Sequence, residues 1–251
     1  MSQALQGQTA LVTGGARGIG GAICRRLARA GCHVCINYYN SSDEAERLRA
    51  SLAAEGVRAL TVQANVSDAD SVRELIAAFR QEFDHLDILV SNAASGVLRP
   101  ALEMTTKHWR WCLETNALAL NHLVREARPL LRRGSRVLAL SSLGSRRAIP
   151  DYAFIGASKA ALESLVRSLS LELAPDGVAV NTISAGAVDT DALRSFPDRE
   201  RMLAEQQRRS LLGRPLGPED VAAVAYLLCL PEAAAIRGQT IVVDAGYSIV
   251  G

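Results

Sequence analysis

Short apolar runs alternate with segments of helical periodicity along the whole chain. Four segments place apolar residues three and four positions apart, as helices with one buried face do: Gly18 to Ala30, Asp43 to Glu55, Ser67 to Phe83 and Asp151 to Ala174. The apolar runs predict strands, and they read QTALVT, HVCINY, RALTVQ, LDILVS, SRVLALS, VAVNTIS and QTIVVD. The alternation predicts an α/β fold, a single doubly wound Rossmann domain over residues 1–251 with a seven-stranded parallel sheet and helices on both faces.

One segment interrupts this alternation. Residues 189–214, DTDALRSFPDRERMLAEQQRRSLLGR, are charged and follow the predicted sixth strand. Ligands of such folds bind beyond the carboxyl ends of the strands, so we expect this segment to form a substrate lid. An ordinary pair of exposed helices is the alternative.

The composition indicates a globular protein with small-molecule partners. Hydrophobic residues make up 49% of the 251 positions and charged residues 22%, and the formal net charge is only +2. So small a charge, without a run of one sign, argues against nucleic acid as a partner. No apolar run approaches about 18 residues and no basic segment precedes one, so we expect no membrane span, no signal peptide and a cytoplasmic location.

Five cysteines are an odd number, and without a secretory signal we expect reduced thiols. Cys32 and Cys35 stand three positions apart on a predicted strand, where they point to opposite faces of the sheet. They therefore cannot share a metal ion, and no metal site is expected.

Lysine is rare in this chain, which carries 28 basic residues. Only Lys107 and Lys159 are lysines, and Lys107 lies in a segment that predicts a solvated helix position. A compact ammonium fits between small donors and acceptors where the broad guanidinium of arginine does not. Lys159 is therefore a candidate functional residue, and Tyr152 precedes it by seven positions.

A glycine-rich loop joins the first predicted strand to the first helix. The stretch TGGARGIG contains Gly14, Arg17, Gly18, Ile19 and Gly20. Glycines allow a tight turn and a close approach of backbone N–H groups to a pyrophosphate, and the helix dipole favours the same charge. At the start of a βαβ array this loop predicts a dinucleotide site.

The end of the second predicted strand bears on which dinucleotide binds. A carboxylate there would hold the adenosine ribose 2′-hydroxyl of NAD, but the stretch from Asn37 to Ser42 contains none. Arg17, together with polar Asn40 and Ser41, would accommodate a 2′-phosphate. The sequence therefore favours NADPH over NADH.

The chain resembles the short-chain dehydrogenase/reductase family over its whole length. TGGARGIG is similar to the phosphate loop of the family, and ANVSD, with Asn65 and Val66, to its adenine-contacting turn. SNAAS, ETNALA and GQTIVVDAGYS resemble three further family motifs. Two motifs depart from the usual pattern, since NNAG reads Ser91-Asn92-Ala93-Ala94 and PG reads Ala185-Gly186.

The resemblance implies roles for residues at the matching positions. Asn92 and Ala93 would lie near the adenosine ribose. The backbone around Gly186, Val188 and Thr190 would hold the carboxamide and the pyrophosphate.

The same resemblance implies a catalytic set of Tyr152, Lys159, Ser142 and Asn116. Lys159 would bind the nicotinamide ribose. Ser142 would orient the substrate or the tyrosine, or simply form a turn. Asn116 would brace a helix or hold a water molecule.

The spacing of tyrosine and lysine separates this chain from most of the family. In most family members the tyrosine stands four positions before the lysine. This chain has Ile155 at that position, and isoleucine has no proton to give. The seven-residue spacing resembles the enoyl-thioester reductases of the superfamily. SNAASGVLRP, GASKAALE, FPDRE and IRGQTIVVD are similar to the enoyl-acyl-carrier-protein reductase III subgroup. This resemblance implies reduction of the C2=C3 bond of a 2-enoyl thioester in fatty-acid or polyketide-type biosynthesis.

The spacing has a physical rationale. On a helix, both spacings put the two side chains on one face, but seven residues place tyrosine about 4.5 Å further along the axis, if the helix runs through Tyr152. In enoyl reduction, hydride reaches Cβ while charge develops on the thioester oxygen two bonds further away. The donor must then stand roughly 2–3 Å further from the nicotinamide than in ketone reduction.

The implied mechanism gives Tyr152 the enolate oxygen to stabilise, while Cα receives its proton from Tyr152 or from a water relay. The substrate would be carried by acyl-carrier protein or CoA. Arginines of the lid, Arg194, Arg199, Arg201, Arg208 and Arg209, could meet either carrier, although nearby acids nearly cancel their charge. Family members of this size commonly form homotetramers, which we also expect here.

Two alternatives remain at this point. The first is a ketoreductase or alcohol dehydrogenase of the same fold, in which Tyr152 reaches a carbonyl through an irregular helix start. The second is a dinucleotide-binding regulator without turnover, against which the set Tyr152, Lys159 and Ser142 argues.

Overall fold

Seven parallel strands form one sheet in the computed structural model of the chain, which describes residues 3–190, 193 and 199–250. The strands are β1 (Thr9–Val12), β2 (His33–Tyr38), β3 (Ala59–Gln63), β4 (Leu86–Ser91), β5 (Leu131–Ser142), β6 (Ala179–Ala185) and β7 (Thr240–Val243). Their order across the sheet is β3-β2-β1-β4-β5-β6-β7, and each neighbouring pair is parallel. The predicted doubly wound fold is confirmed.

Helices cover both faces of this sheet. They are α1 (Gly18–Arg29), α2 (Ser42–Ala54), α3 (Ala69–Glu82), α4 (Thr106–Leu113), α5 (Ala119–Ala127), α6 (Ala153–Glu172), α7 (Arg199–Arg209) and α8 (Pro218–Cys229). The apolar stripes of α1, α2 and α8 form one buried core against the sheet, and those of α3, α5 and α6 form a second core on the other face. Most apolar side chains of the strands are buried in one of these layers, which is why the strands are apolar throughout.

The two cysteines of the CHVC stretch lie in different layers. Cys32 belongs to the α1 side of the sheet and Cys35 to the α3 side. All five cysteines are free and buried. The prediction that Cys32 and Cys35 point apart is therefore confirmed.

The sheet order reverses between β1 and β4, and this reversal places the site. From β1 the chain moves outward to β2 and β3, and from β4 it moves the other way to β7. The loops after β1 and after β4 therefore diverge and leave a crevice at the carboxyl ends of the strands, where such folds bind ligands.

Two segments need separate mention. The expected lid at 189–214 includes helix α7, whereas residues 191, 192 and 194–198, with Arg194 among them, lie outside the described residues. Among the helices that the structure does describe, none combines the length and the apolar character needed to cross a membrane.

Candidate active site

Tyr152 is the last residue before helix α6. Asp151, which precedes it, has φ 59°, in the left-handed region that aspartate adopts more readily than most residues. This turn ends the incoming loop, and the carbonyl of Tyr152 then accepts the hydrogen bond of Gly156 N–H at 2.7 Å. The predicted helix start at Asp151 is therefore wrong, since α6 begins at Ala153. Tyr152 caps the helix, so the estimated 4.5 Å displacement along a helix running through it does not apply.

The ring of Tyr152 packs against the turn that follows β5. A Cβ atom placed on Gly144 would lie 2.5 Å from ring atoms Cδ1 and Cε1 of Tyr152, so only glycine fits there. The tyrosine hydroxyl is hydrogen-bonded to the side chain of Ser142. Burial raises the pKa of Tyr152 and the hydrogen bond with Ser142 opposes this shift. The tyrosine is therefore protonated at neutral pH and can donate.

Gly156 in the first turn of α6 is explained by the same contact. A Cβ on Gly156 would lie 2.5 Å from the carbonyl oxygen of Gly144. Glycine in a helix costs roughly 0.5–1 kcal/mol relative to alanine. Here it allows the helix to approach the backbone of the turn directly.

Lys159 is buried on the next turns of α6. Its Nζ donates to the carbonyl oxygen of Leu140 at 2.7 Å, which leaves two further protons of an ammonium for other acceptors. Burial lowers the pKa of Lys159 to about 8, because the charged form loses its hydration. Lys107, by contrast, is exposed at the start of α4, as predicted.

Asn116 lies in a π-helical turn, Glu114–Leu118, and its side chain joins three segments. Its Nδ2 donates to the carbonyl of Ser95 at 2.8 Å and to Oγ of Ser158 at 2.9 Å, while its Oδ1 accepts from Ser95 N–H at 2.8 Å. The amide thus braces the loop after β4 against α6. Of the two expected roles, this geometry shows the bracing one.

Ile155 occupies the position at which the family resemblance would place the acid. Its side chain is 9% exposed and packs under the loop after β4. A Cβ on Gly96 would overlap the Ile155 side chain and would lie 3.2 Å from Sγ of Cys112. Residue 155 therefore lies in a closed apolar contact between α6, α4 and this loop.

The glycine-rich loop after β1 forms a narrow cradle. Gly14 and Gly18 have φ values of 58° and 55°, which favour glycine. A Cβ on Gly20 would overlap the carbonyl oxygen of Gly14, and one on Gly14 would come within 3.1 Å of Ala93. A pyrophosphate could therefore approach the backbone here, next to the first turn of α1.

Asn92 ties the loop after β4 to this cradle. Its Nδ2 donates to the carbonyls of Thr13 and Gly14, both at 3.0 Å. The N–H groups of Asn92 and Ala93 donate to Oγ1 of Thr13 at 3.0 and 3.1 Å. The side chain of Asn92 is thus used within the protein, and its place near the adenosine ribose stays a prediction.

The expected adenosine end lies beside β2 and β3. Asn65 Oδ1 accepts from the N–H and Oγ of Ser67 at 3.1 and 2.9 Å, which fixes the turn before α3, and Val66 is buried. Asn40 is exposed and Ser41 is half-buried at the start of α2. Arg17 is exposed before the first turn of α1. Contacts of these residues with a cofactor remain predictions.

The segment after β6 reaches the phosphate loop. The side chain of Thr190 would contact a Cβ on Gly18 at 3.4 Å, so the two segments are neighbours. Val188 is buried in the core on the α1 side of the sheet, and the partly buried Ile19 packs against the same core. A Cβ on Gly186 would lie 2.9 Å from Oε1 of Gln206.

Three buried polar residues of this region were not predicted from the sequence. Gln206 of α7 donates to the carbonyl of Asp244 at 2.8 Å and accepts from Ala187 N–H at 3.3 Å, so it anchors α7 beside β6 and β7. Asn37 of β2 donates to the carbonyl of Ala64 at 3.1 Å. Glu163 of α6 binds both ends of the turn after β5. Polar residues at positions that periodicity assigns to the core could have indicated all three.

Comparison with known proteins identifies the family of the chain. The family model described as Enoyl-(Acyl carrier protein) reductase matches residues 14–248. The structure of a short-chain dehydrogenase from Burkholderia cenocepacia J2315 in complex with NADP superposes with a TM-score of 0.87 at 33% identity, covering 98% of this chain and 99% of that one. The chain belongs to the short-chain dehydrogenase/reductase family.

Two reductases of the family are similar to this chain over nearly its whole length. The 1-cyclohexenylcarbonyl-CoA reductase of Streptomyces collinus is 36% identical over 245 residues, covering 97% of this chain and 88% of the relative. The 3-oxoacyl-acyl-carrier-protein reductase of Staphylococcus aureus is 35% identical over 245 residues, covering 95% of this chain and 97% of the relative.

The cradle yields a prediction for Gly20. Gly20→Ala would drive a methyl group into the carbonyl of Gly14 and displace the loop, so we expect NADPH affinity to fall about tenfold or more. The adjacent Gly21→Ala is the matched control, because its Cβ would meet its nearest atoms at an ordinary 3.4 Å. Fluorescence titration of NADPH measures both. Equal affinities of the two variants would contradict the proposed cradle.

Lys159 yields a second prediction. If its ammonium contacts cofactor hydroxyls, binding favours the protonated form. NADPH affinity of the free protein should then fall as pH rises through about 8, by up to about tenfold per pH unit. Lys159→Met should bind more weakly and without this pH dependence between pH 7 and 10. Titrations at each pH test this, and an identical dependence in the variant would exclude the contact.

Proposed function

We propose that the protein reduces the C2=C3 double bond of a 2-enoyl thioester with NADPH. The thioester is carried by CoA or acyl-carrier protein, in fatty-acid or polyketide-type biosynthesis. The observation that carries this proposal is the arrangement at the start of α6. Tyr152, hydrogen-bonded to Ser142, is the proton-bearing side chain, and Ile155 fills the position of the usual acid.

The closed contact around Ile155 supports this choice of donor. The residue one turn before Lys159 packs under Gly96 rather than standing free in the cleft, and it carries no ionisable group. A ketone substrate positioned for an acid at residue 155 would find none. Tyr152, the N-cap of α6, is then the proton-bearing side chain beside Ser142, and we assign it the role of donor.

Two comparisons support the reaction class. The family model that matches the chain is described as an enoyl reductase. The relative from Streptomyces collinus is named for a CoA thioester whose ring double bond adjoins the carbonyl, which is an enoyl thioester. Reduction of such a conjugated bond is the reaction that we assign to this chain.

The residues of the crevice fit NADPH. The cradle exposes backbone, because Gly14, Gly18 and Gly20 have no side chains, and this leaves room for a pyrophosphate. No carboxylate follows β2 in the stretch from Asn37 to Ser42 to repel a 2′-phosphate. The relative from Burkholderia cenocepacia has NADP bound at the same fold. When bound, NADPH would supply the hydride that the reduction needs.

Each catalytic side chain then has a defined task. Tyr152 would donate a hydrogen bond from its hydroxyl to the thioester oxygen and stabilise the negative charge that develops there. Ser142 would hold the tyrosine hydroxyl, and Lys159, with its free protons, would bind the nicotinamide ribose. Asn116 would keep the loop after β4 in register with α6. The proton at Cα would come from Tyr152 or through water.

The lid is proposed to close over the substrate. Its helix α7 is anchored by Gln206, while Arg199 pairs with Asp189 at 2.7 and 2.9 Å and Arg208 pairs with Glu205 at 2.7 Å. Arginines that are paired with acids in this way indicate a lid surface that faces solvent, rather than a positive surface that binds an acidic carrier protein. We therefore leave CoA and acyl-carrier protein as equal candidates.

A homotetramer is proposed from the exposed apolar surface. Leu171 on α6 is 78% exposed, and Trp111 on α4 and Val242 on β7 are 42% and 41% exposed. The family resemblance implies subunit contacts through the helices before and after β5 and through the C-terminal strand. These side chains lie on such elements. Burying them between subunits would remove them from water.

A ketoreductase is the second candidate, because the Staphylococcus aureus relative is named for a 3-oxoacyl substrate. The two functions differ in the thioester whose reduction oxidises NADPH. With matched 2-enoyl and 3-oxoacyl thioesters on CoA and on carrier protein, we expect oxidation of NADPH by the enoyl compounds. NADH should be the poorer reductant. Turnover of the 3-oxoacyl compounds alone would overturn the proposal.

Tyr152→Phe tests the donor within the same assay. Removing the hydroxyl should lower kcat with the enoyl thioester about 10²- to 10³-fold, the usual cost of losing one oxyanion donor, and leave NADPH affinity unchanged. Tyr226→Phe is the control, since Tyr226 lies on α8 and phenylalanine keeps the ring that packs against the guanidinium of Arg26. An unchanged kcat in Tyr152→Phe would contradict the assignment of Tyr152 as the donor, and absence of turnover in the unmodified protein with every thioester would favour a cofactor-binding regulator.

A further inference from the structure

We propose that Glu163 is a positioning residue for the reduction, acting by fixing the turn that holds Tyr152. It does not touch the crevice residues assigned to substrate or cofactor. Its side chain binds the residues on either side of Ser142 to Gly144, and that turn contacts the tyrosine. The inference rests on the proposed role of Tyr152 and extends it to a residue buried behind the site.

The contacts of Glu163 are specific to this turn. Oε1 accepts from Oγ of Ser141 at 2.8 Å and from Oγ of Ser145 at 2.6 Å, and Oε2 accepts from Nε of Arg146 at 3.3 Å. Ser141 precedes the turn, while Ser145 and Arg146 end it. One carboxylate on α6 therefore fixes both ends of the segment that follows β5.

Burying the Glu163 carboxylate costs free energy, so a residue whose only role was to fill space here would be better apolar. Glu163 is 4% exposed, whereas its cationic partner Arg146 has a side chain that is 60% exposed. A buried carboxylate loses hydration that an ion pair with an exposed partner restores only in part, and an apolar side chain of similar size often serves stability as well or better. What the carboxylate adds is a defined geometry for the two serine hydroxyls.

The turn transmits that geometry to Tyr152 at two points. Ser142 supplies the hydrogen-bond partner of the tyrosine hydroxyl, and Gly144 lies against its ring. Gly144 N–H also donates to Oγ of Ser142 at 3.2 Å, which couples the two contacts. A shift of the turn therefore moves the hydroxyl partner and the ring support together.

The chemical consequence is a change in turnover rather than in binding. Misplacing a catalytic group by about 1 Å can cost roughly 10²-fold in rate. The cradle for the cofactor lies after β1 and does not share contacts with Glu163. Loss of Glu163 should therefore lower kcat and leave the affinity for NADPH intact.

The experiment compares Glu163→Leu with Glu163→Gln, using the full-length protein. We expect Glu163→Leu to lower kcat with the enoyl thioester about 10- to 100-fold, while KM and the Kd of NADPH stay within about twofold. Glu163→Gln keeps an acceptor for both serines and should recover most of the lost rate. Glu172→Gln, exposed at the end of the same helix, is the matched control. Unchanged kcat in a folded Glu163→Leu variant would overturn the inference.

A double-variant cycle separates positioning from general damage. In the Tyr152→Phe background, Glu163→Leu should lower the residual kcat by no more than about twofold, because the group that it positions is gone. An equal loss in both backgrounds would show a merely structural role and overturn the inference. If Glu163→Leu does not fold, Ser145→Ala takes its place, with a few-fold loss of kcat expected and unchanged kcat contradicting the inference.

Failure of the proposed function is visible without these variants. It would appear in the unmodified protein, as absence of enoyl turnover. Failure of the present inference would appear only in the Glu163 and Ser145 variants, while the unmodified protein reduces the enoyl thioester.

Discussion

Direct contact between the turn after β5 and the first turn of α6 is the constraint on which the candidate active site depends. Gly144 and Gly156 meet backbone to backbone, and the ring of Tyr152 lies on Gly144. A side chain at either glycine would separate the strand end from the helix. With the two segments in contact, Ser142 from β5 reaches the hydroxyl of Tyr152, and Lys159 from α6 reaches back to the carbonyl of Leu140.

The cofactor side of the crevice is built in a similar way, by side-chain amides and hydroxyls that bind backbone. Asn92 and Thr13 join the loop after β4 to the loop after β1, and Asn37 joins β2 to the end of β3. Asn116 continues this pattern from the π-helical turn to the loop after β4. The crevice at the reversal of strand order is therefore lined by loops that are fixed to one another before any ligand binds.

Much of the fold could be predicted from the sequence, because apolar runs and helical periodicity are local properties. The seven strands and the four predicted helices lie close to their predicted positions, whereas α4, α5, α7 and α8 were not individually predicted. The start of α6 could not be predicted, since the left-handed conformation of Asp151 is set by the surrounding loop. Glu163 and Gln206 were missed for a related reason. A polar residue on a buried helix face indicates a buried hydrogen bond, but the sequence does not identify the partner, which lies outside the helix.

Hydride delivery to Cβ of an enoyl thioester is the step that separates the proposed function from ketone reduction. The most direct measurement uses NADPH deuterated at C4 of the nicotinamide, a short 2-enoyl-CoA and mass spectrometry with NMR of the product. Hydride transfer to Cβ would give a saturated thioester with deuterium at C3 and an intact thioester carbonyl. If the enoyl compound is recovered unlabelled, while a 3-oxoacyl thioester becomes a 3-hydroxyacyl thioester with deuterium at C3, the protein is a ketoreductase and not an enoyl reductase.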